Sequence, residues 1–258
     1  MSIWVYLILA VVINILFFIP AFKWQTDRLT DATYSITFIT LSLVCLIVNG
    51  FSLVNSLLFA MVLVWALRLG GFLVLRINKI KKDHRFDEIR GTWYRFIKFW
   101  LIQAVAAWVV LLPLFFVMPL EGSSIGWVGV VIWALGIVIE AVADQQKYIF
   151  KKNPDNRGEF IKHGIWRYSR HPNYFGEILC WIGVYVAVVH NLTLLQGIIA
   201  GLSPLSITCA LLFLTGIPPL EKSAEQKWGD DPQYQEYKKR TSILIPWFPL
   251  GGKVNDDN

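Results

Sequence analysis

The segment from Gly164 to Glu177, with the sequence GIWRYSRHPNYFGE, concentrates side chains that can bind an anion and a polar ligand. Its two arginines, Arg167 and Arg170, can each grip phosphate oxygens in a bidentate geometry that lysine lacks. Asn173 and Glu177 are one helical turn apart, so they share a face if the chain is helical here. The segment therefore combines phosphate donors, an amide and a carboxylate, which together suit a phosphate-bearing ligand with further polar groups.

The apolar run from Ile178 to Val189 predicts that this segment opens a membrane-spanning helix. Pro172 suits the first helical position because its missing N–H would be unpaired there anyway, and Ser169 or His171 can cap the helix. The unpaired N–H groups and the positive end of the macrodipole favour a bound anion. A simpler interpretation stays open, because basic and aromatic residues also mark the cytoplasmic boundary of ordinary membrane helices.

Composition predicts an all-α, polytopic membrane protein. Of the 258 residues, 55% are hydrophobic and 16% are charged, and the chain holds 12 Trp and 17 Phe. We predict a single membrane domain with seven transmembrane helices, because about 20 apolar residues cross a bilayer. The predicted spans are at about residues 3–22, 33–49, 57–75, 96–120, 126–146, 174–189 and 195–217. Gly197, Gly201 and Pro204 can interrupt the last of them.

Lysine and arginine predict the orientation of these spans. Basic residues fill the loops 76–98 and 147–170 and the tail, whereas the loops near 49–56, 121–125 and 190–193 have none. The positive-inside rule then predicts an N-terminus outside and a cytoplasmic C-terminus. The net charge of +6 is explained by a face that meets anionic lipid, so no nucleic-acid partner is expected. The basic, aromatic tail can fold back as a lid over a bound ligand.

Three residues toward the N-terminus can take part in catalysis. Asp31 and Tyr34 open the second predicted span, and a Tyr hydroxyl supported by a carboxyl group can polarise a carbonyl oxygen. The alternative is an acid at the positive end of a helix beside an interfacial Tyr. Arg68 lies within the third span, where a charge is costly and normally faces a partner inside the bundle. Both a structural ion pair and a contact with an anion or carbonyl stay open for it.

Glu140 and Asp144 lie four residues apart near the end of the fifth span, so they share a helix face. Two carboxylates on an apolar helix are not expected to face lipid. They can accept hydrogen bonds from ribose hydroxyls or an amide, or pair with Arg68 or Arg170 for structure alone. No His accompanies them in the membrane, so no metal is expected.

The segment WRYSRHPNYFGE, residues 166–177, resembles the membrane reductases related to steroid 5-alpha-reductase, and above all their uncharacterised bacterial relatives. The resemblance extends to TDRLTD at 26–31, LRLG at 67–70, DQQK at 144–147 and the tail from Tyr237 to Pro246, so it covers most of the chain. It implies a seven-helix bundle that opens to the cytoplasm of a bacterial inner membrane and binds NADPH among its C-terminal helices and loops. It also implies hydride transfer to an activated C=C bond of a steroid- or isoprenoid-like enone.

The resemblance assigns roles to individual positions. Asn173 and Glu177 match the family's Asn and Glu, Asp144 its nucleotide-side Asp, Tyr237 its tail Tyr, and Arg68 its third-span Arg. The predicted cofactor-binding residues are Glu140, Asp144, Lys151, Arg167, Tyr168, Arg170, His171, Asn173, Tyr174, Glu177, Glu221, Tyr237 and Arg240. The predicted catalytic residues are Asp31, Tyr34 and Arg68. Residues 1–120 are expected to face the lipid-like substrate and residues 121–250 to hold the cofactor.

The sequence departs from the steroid enzymes at the substrate end, where Thr30-Asp31 replaces their Gln-Glu pair and Trp65 their third-span Tyr. The R-H-P-x-Y core also occurs in isoprenylcysteine and phospholipid methyltransferases, which bind S-adenosylmethionine. Those enzymes usually carry an apolar residue in place of Glu177 and a Glu-Glu pair near the tail, where this chain has PPLEK at 218–222. No Gly-x-Gly-x-x-Gly motif is present, so neither cofactor would sit on a Rossmann unit. A methyltransferase is therefore the alternative to the reductase, and a non-catalytic lipid-binding bundle is a third interpretation.

Overall fold

The computed structural model describes residues 2–26, 28–80 and 89–249, with Arg28, Asp31 and residues 72–80 described by their backbone alone. The described residues form eleven α-helices and no β-strand, which confirms the predicted all-α class. The helices are α1 (Ile3–Lys23), α2 (Arg28–Asn49), α3 (Leu53–Ile80), α4 (Trp93–Val110), α5 (Leu112–Val117), α6 (Trp127–Lys152), α7 (Pro172–Val188), α8 (Leu194–Ala200), α9 (Leu202–Cys209), α10 (Ile217–Trp228) and α11 (Pro232–Arg240).

Six helical segments of the described chain are long and apolar enough to cross a membrane, so the chain is an integral, multi-pass membrane protein by length and composition. They are Ile3–Lys23, Ala32–Asn49, Leu53–Gly71, Trp127–Lys152, Pro172–Asn191 and Leu194–Trp228. The count of seven and the orientation stay predictions. The fourth predicted span, 96–120, divides at Leu111 into α4 and α5. Pro113 explains the break, because it cannot donate a backbone hydrogen bond within a continuous helix.

The last predicted span is also interrupted, as its glycines suggested. α8 ends at Gly201 and α9 follows directly, after which the chain makes a π-helical turn and restarts as α10 at Ile217. The start of α8 carries a capping box between Thr193 and Gln196, in which each side chain bonds the other's backbone N–H. The two prolines after Ile217 fall in the first turn of α10, where no N–H is needed.

The chain forms two compact units. Unit 1 comprises Met1–Gly129 and Val184–Ser206, and unit 2 comprises Val130–Gly183 and Ile207–Asn258. In unit 1, a buried polar cluster ties α1, α2 and α4 together. The Asn14 amide donates to Thr37 Oγ1 at 3.2 Å and accepts from Gln103 Nε2 at 3.2 Å. Hydrogen bonds of this kind hold apolar helices at a defined rotation inside a membrane bundle.

In unit 2, α6 and α7 pack with their backbones in contact at Gly136 and Gly176. A Cβ atom added at Gly136 would lie 2.7 Å from the backbone nitrogen of Cys180, and one added at Gly176 would lie 2.7 Å from that of Glu140. Only glycine permits such an approach, which is the way small residues let membrane helices pack closely. The contact places Glu140 against the residue that precedes Glu177.

Candidate functional site

The site loop, residues 164–171, is anchored on α6. Gly164 adopts a left-handed φ of +61°, and the next residue, Ile165, donates its backbone N–H to Gln146 Oε1 at 3.0 Å. The Trp166 indole is buried and donates to the carbonyl of Ala143 at 3.1 Å. A side chain at Gly164 would collide with Gln146. Glycine is therefore required where the loop turns, and the last turns of α6 fix the loop in place.

The tail folds back along the site loop. We call residues 241–248 the C-terminal strap. The Arg170 N–H donates to the Ser242 carbonyl at 2.8 Å, Ser169 Oγ donates to the Leu244 carbonyl at 2.7 Å, and the Trp247 N–H donates to the Tyr168 carbonyl at 3.0 Å. Ser169 and Ser242 form a parallel β-bridge. The strap is therefore a hydrogen-bonded part of unit 2.

Glu221, near the start of α10, holds the two basic residues at the end of the site loop. Its Oε2 accepts from Arg170 Nη1 at 2.6 Å, and its Oε1 lies 2.8 Å from His171 Nε2. The three side chains are 21%, 11% and 6% exposed, respectively. Burial lowers the pKa of His171, and the hydrogen bond to Glu221 only partly offsets that effect. The carboxylate that pairs with Arg170 is thus that of Glu221.

Several polar atoms of the site loop and of α7 keep hydrogen-bonding capacity. Within the described chain, Arg170 Nε and His171 Nδ1 are buried and have no hydrogen-bond partner. The Asn173 side chain, half-buried in the first turn of α7, likewise makes no hydrogen bond to any described residue. Buried polar groups are normally satisfied, so such atoms mark places where a ligand or water completes the bonding. α7 begins at Pro172, as predicted, so the positive end of its macrodipole lies beside them.

The predicted carboxylates lie on the two helices that meet at the glycine contact. Glu140 and Asp144 are buried on α6, with 3% and 8% exposure, which agrees with the expectation that they do not face lipid. Glu177 is half-buried on α7, and all three carboxylates have interaction partners within the protein. Arginine, amide and carboxylate groups beside a helix start fit a nucleotide, because its phosphates need cations and its ribose and amide groups need acceptors.

The remaining predicted cofactor residues surround this centre. Tyr174 stacks on the His171 ring, with ring centroids 5.7 Å apart and planes within 9°. The guanidinium group of Arg167 lies 6.0 Å from the Tyr168 ring, whose other neighbour is Phe248 of the strap. The Tyr174 ring therefore supports His171, and the Tyr168 ring supports Arg167 and the strap.

Tyr237, Lys151 and Arg240 lie further out. The Tyr237 hydroxyl donates to the Trp166 carbonyl at 2.7 Å, and burial raises the pKa of this hydroxyl. Lys151 is exposed near the end of α6, and Arg240 pairs with Glu236 at 2.9 Å on the surface of α11. Tyr237 therefore holds the site loop, whereas Lys151 and Arg240 lie at the surface with partners within the protein.

The three predicted catalytic residues belong to unit 1, whereas every predicted cofactor residue belongs to unit 2. The Tyr34 ring packs against Phe38 on α2 and Trp65 on α3, with centroid distances of 4.9 and 6.4 Å. Arg68 follows Trp65 by one turn of α3 and has an interaction partner in the protein. The side chain of Asp31 lies outside the described residues.

Sequence reasoning missed the residues that support the site. Ala143 and the strap act through backbone carbonyls, which residue type does not reveal. Gln146 acts through its side-chain amide, and the sequence singled it out only as part of a resemblance. The two oxygens of Glu221 contact Arg170 and His171, and its predicted contact with the cofactor stays a prediction. The described residues contain no group of three or more His, Cys, Asp and Glu side chains that could hold a metal ion.

Comparisons with known proteins give a family but no activity. A segment of 46 residues is 44% identical to the probable O-methyltransferase ustE of Ustilaginoidea virens, and it covers 18% of this chain and 16% of that protein. No solved structure matches. Residues 17–241 match the family described as "Protein of unknown function (DUF1295)". Because this match spans most of the chain, the protein belongs to the DUF1295 family.

Proposed function

We propose that the protein is a membrane-embedded reductase that adds a hydride from NADPH, and a proton, across the activated C=C bond of a lipophilic, steroid- or isoprenoid-like enone. The observation that carries this proposal is the pair Asn173 and Glu177 at the start of α7, with Glu140 and Asp144 buried on the adjoining α6. The resemblance of the same segment to the steroid 5-alpha-reductases supports it. The proposed location is the inner membrane of a bacterium, with the C-terminus in the cytoplasm.

The carboxylates suit the nicotinamide and ribose end of the cofactor. A carboxylate in a membrane bundle costs several kcal/mol unless it is paired or hydrogen-bonded, so three of them on two adjoining helices need a common reason. Each carboxylate offers about four lone-pair sites, so it can keep its protein partner and still accept from a ribose hydroxyl or an amide. Asn173 adds an amide that can bond the carboxamide of the nicotinamide. When bound, the cofactor supplies the hydride.

The site loop suits the phosphate end. Arg170 has one guanidinium nitrogen on Glu221, and its Nε stays buried without a partner in the described chain. Arg167, three residues earlier, adds a second cation, and the start of α7 adds the positive end of a helix macrodipole. The stacked rings of His171 and Tyr174 brace this surface. We propose that these groups bind the cofactor phosphates, with Lys151 and Arg240 adding charge at the periphery.

The substrate end is proposed to lie in unit 1. Tyr34 and Arg68 are the groups there that can donate to an enone carbonyl, and the Asp31 carboxyl group can support the Tyr34 hydroxyl. Such donors withdraw electrons from the C=C bond through the carbonyl and favour hydride addition. Tyr34 is braced by Phe38 and Trp65, so its hydroxyl is held in a defined direction.

The direct test uses the purified, full-length protein in lipid nanodiscs. NADPH carrying deuterium at the transferable position is offered with a panel of steroid and isoprenoid enones, and the products are analysed by mass spectrometry. We expect deuterium on the β-carbon of a reduced product and a parallel loss of nicotinamide absorbance. Absence of NADPH binding in a titration, together with unchanged enones, would refute the proposal.

A second candidate is an S-adenosylmethionine-dependent methyltransferase. It is favoured by the segment shared with a protein named a probable O-methyltransferase and by the R-H-P-x-Y core. The test is transfer of a labelled methyl group from S-adenosylmethionine to lipid, thiol or hydroxyl acceptors in the same nanodiscs.

Glu177 separates the two candidates. Glu177→Gln is expected to reduce NADPH affinity about tenfold without unfolding the protein, because it removes a charge-assisted acceptor worth about 1.5–3 kcal/mol. Methyltransferases of the resembling kind usually carry an apolar residue here, so a methyl-transfer activity would tolerate the change. A Glu177→Gln protein that binds NADPH normally but melts much earlier would assign Glu177 to a structural ion pair.

A further inference from the structure

The C-terminal strap has two chemically different faces. Its inner face bonds the site loop through the carbonyls of Ser242 and Leu244. Its outer face carries Ile243, Ile245 and Trp247, which are 43%, 60% and 66% exposed. Phe248 follows with 77% exposure. A row of large apolar side chains on a well-anchored segment is unusual on a surface that meets only water.

A cationic helix end leads directly into this row. The last turn of α11 carries three basic residues, Lys238, Lys239 and Arg240, directly before the exposed side chains. Lys238 pairs with Glu225 and Arg240 with Glu236 at the surface. Basic residues next to exposed Trp, Phe and Ile are the combination that binds the interface of an anionic bilayer: the apolar groups enter the headgroup region and the cations meet lipid phosphates. A bilayer is always within reach, because the same chain carries six candidate spans.

We propose that the outer face of the strap, formed by Ile243, Ile245, Trp247 and Phe248, is seated in the headgroup region of the anionic membrane in which the protein resides. The position of the strap selects this occupant over a second protein, because the strap bonds residues 168–170, which directly precede the candidate span Pro172–Asn191. The Arg170 and Trp247 backbone bonds join the strap to the site loop, so the lipid surface also holds that loop. This inference goes beyond the proposed reaction and does not depend on it.

The test measures membrane depth at single positions. In a Cys209→Ser background, which leaves only the buried Cys45 and Cys180, Ile245→Cys is labelled with a nitroxide. Asp230→Cys, on the exposed turn before α11, is the aqueous control. The full-length proteins are placed in nanodiscs of phosphatidylcholine alone or mixed with phosphatidylglycerol, and collision of the label with oxygen and with a water-soluble nickel chelate is recorded by electron paramagnetic resonance.

The proposal expects the label at 245 to collide more with oxygen than with the nickel chelate in the anionic nanodiscs, and the label at 230 to show the reverse. If the Ile245→Cys protein does not fold, Phe248→Cys provides the same measurement beyond the hydrogen-bonded part of the strap. A label at 245 or 248 that stays accessible to the nickel chelate in both lipids overturns the proposal. So does a label shielded from both reagents only at high protein concentration, since that outcome assigns the face to a second copy of the chain.

Discussion

The Asn14 cluster of unit 1 and the site loop of unit 2 both bury polar groups in a largely apolar protein, but they use their hydrogen bonds differently. Asn14 is fully buried, and its amide donates to Thr37 and Ala10 while accepting from Gln103. Arg170 and His171 are nearly as buried, yet each keeps a nitrogen that has no partner in the described chain. The Asn14 cluster is a closed cluster, because its polar side chains bond one another. Arg170, His171 and their neighbours form an open cluster, because some of its polar atoms have no partner in the described chain.

That difference separates a structural polar cluster from a binding site. A closed network holds helices together, and its members gain from one another. An unmade buried hydrogen bond costs about 1–3 kcal/mol, so buried polar atoms stay open where a ligand or ordered water completes their bonding. Variants in the closed cluster should therefore change stability alone, whereas variants that touch the open atoms should change binding.

The largest expected effect follows from removing the carboxylate that braces the open cluster. Glu221→Ala is expected to lower the free energy of unfolding by about 3 kcal/mol, because it leaves two largely buried basic groups without their acceptor. Glu236→Ala is the matched control, since its partner Arg240 forms an exposed pair that contributes little. Thermal unfolding of both variants gives the comparison. Equal melting temperatures for the two would mean that the Glu221 contacts are as weak as those on the surface.

The closed cluster predicts the second largest change. Asn14→Ala is expected to lower the free energy of unfolding by about 1–2 kcal/mol, because Gln103 and Thr37 lose a buried partner. NADPH affinity, measured by titration in nanodiscs, should stay at the wild-type value. An Asn14→Ala protein that melts normally but binds the nucleotide poorly would reverse the assignment of the two clusters.

Asn173→Ala is the counterpart of that variant in the open cluster. Its amide makes no hydrogen bond within the described chain, so its loss should hardly change the melting temperature. We expect NADPH and NADH affinities to fall together, by roughly fivefold to tenfold, because the lost bond is worth about 1 kcal/mol and serves the part that both nucleotides share. A fall in melting temperature with unchanged affinity would place Asn173 among the structural residues.

How far the sequence could predict the site depends on how local each interaction is. The helix start at Pro172 and the buried face shared by Glu140 and Asp144 follow from spacing along one helix, and both were predicted. The pairing of Arg170 with Glu221 joins residues 51 apart, and no periodic pattern connects them. The strap binds through backbone atoms, which every sequence possesses, so its contacts left no signal in residue type.

The fold shows the same division. Gly201 predicted an interruption, and the helix is interrupted there. Pro113 is an equally clear signal of a break, but the long apolar run 96–120 led to the prediction of one continuous span. The contact at Gly136 and Gly176 sets the position of Glu140 against α7, but it involves two helices, so neither glycine could be assigned from its own helix alone. Apart from the break at Pro113, the features that escaped prediction are interactions between elements.

A smaller effect distinguishes the two ends of the proposed cofactor. Arg170→Ala is expected to weaken NADPH binding several-fold more than NADH binding, because a charge-assisted bond to the additional phosphate is worth about 1.5–3 kcal/mol and part of the Arg170 charge is already used by Glu221. Arg157→Ala, at an exposed position, is the control. Equal losses for both nucleotides would show that Arg170 does not contact the extra phosphate.

The smallest effect is the dependence of stability on pH at His171. Burial lowers the pKa of His171 below its ordinary value of 6.5. The hydrogen bond to Glu221 opposes this decrease, and the charges of Lys147 and Arg170 add to it. The unfolded chain then binds a proton at a higher pH than the folded protein, so this stabilising contribution is complete above pH 6.5 and is lost as the pH falls through the folded pKa. The melting temperature of the wild type should therefore drop more steeply on acidification than that of His171→Gln, which has no proton to gain. His163→Gln, an exposed histidine of the same unit, should retain the wild-type slope. If the melting temperatures of His171→Gln and His163→Gln fall equally on acidification, the open cluster does not bury an uncharged imidazole. His171 Nδ1 would then no longer distinguish the open cluster from the closed Asn14 cluster.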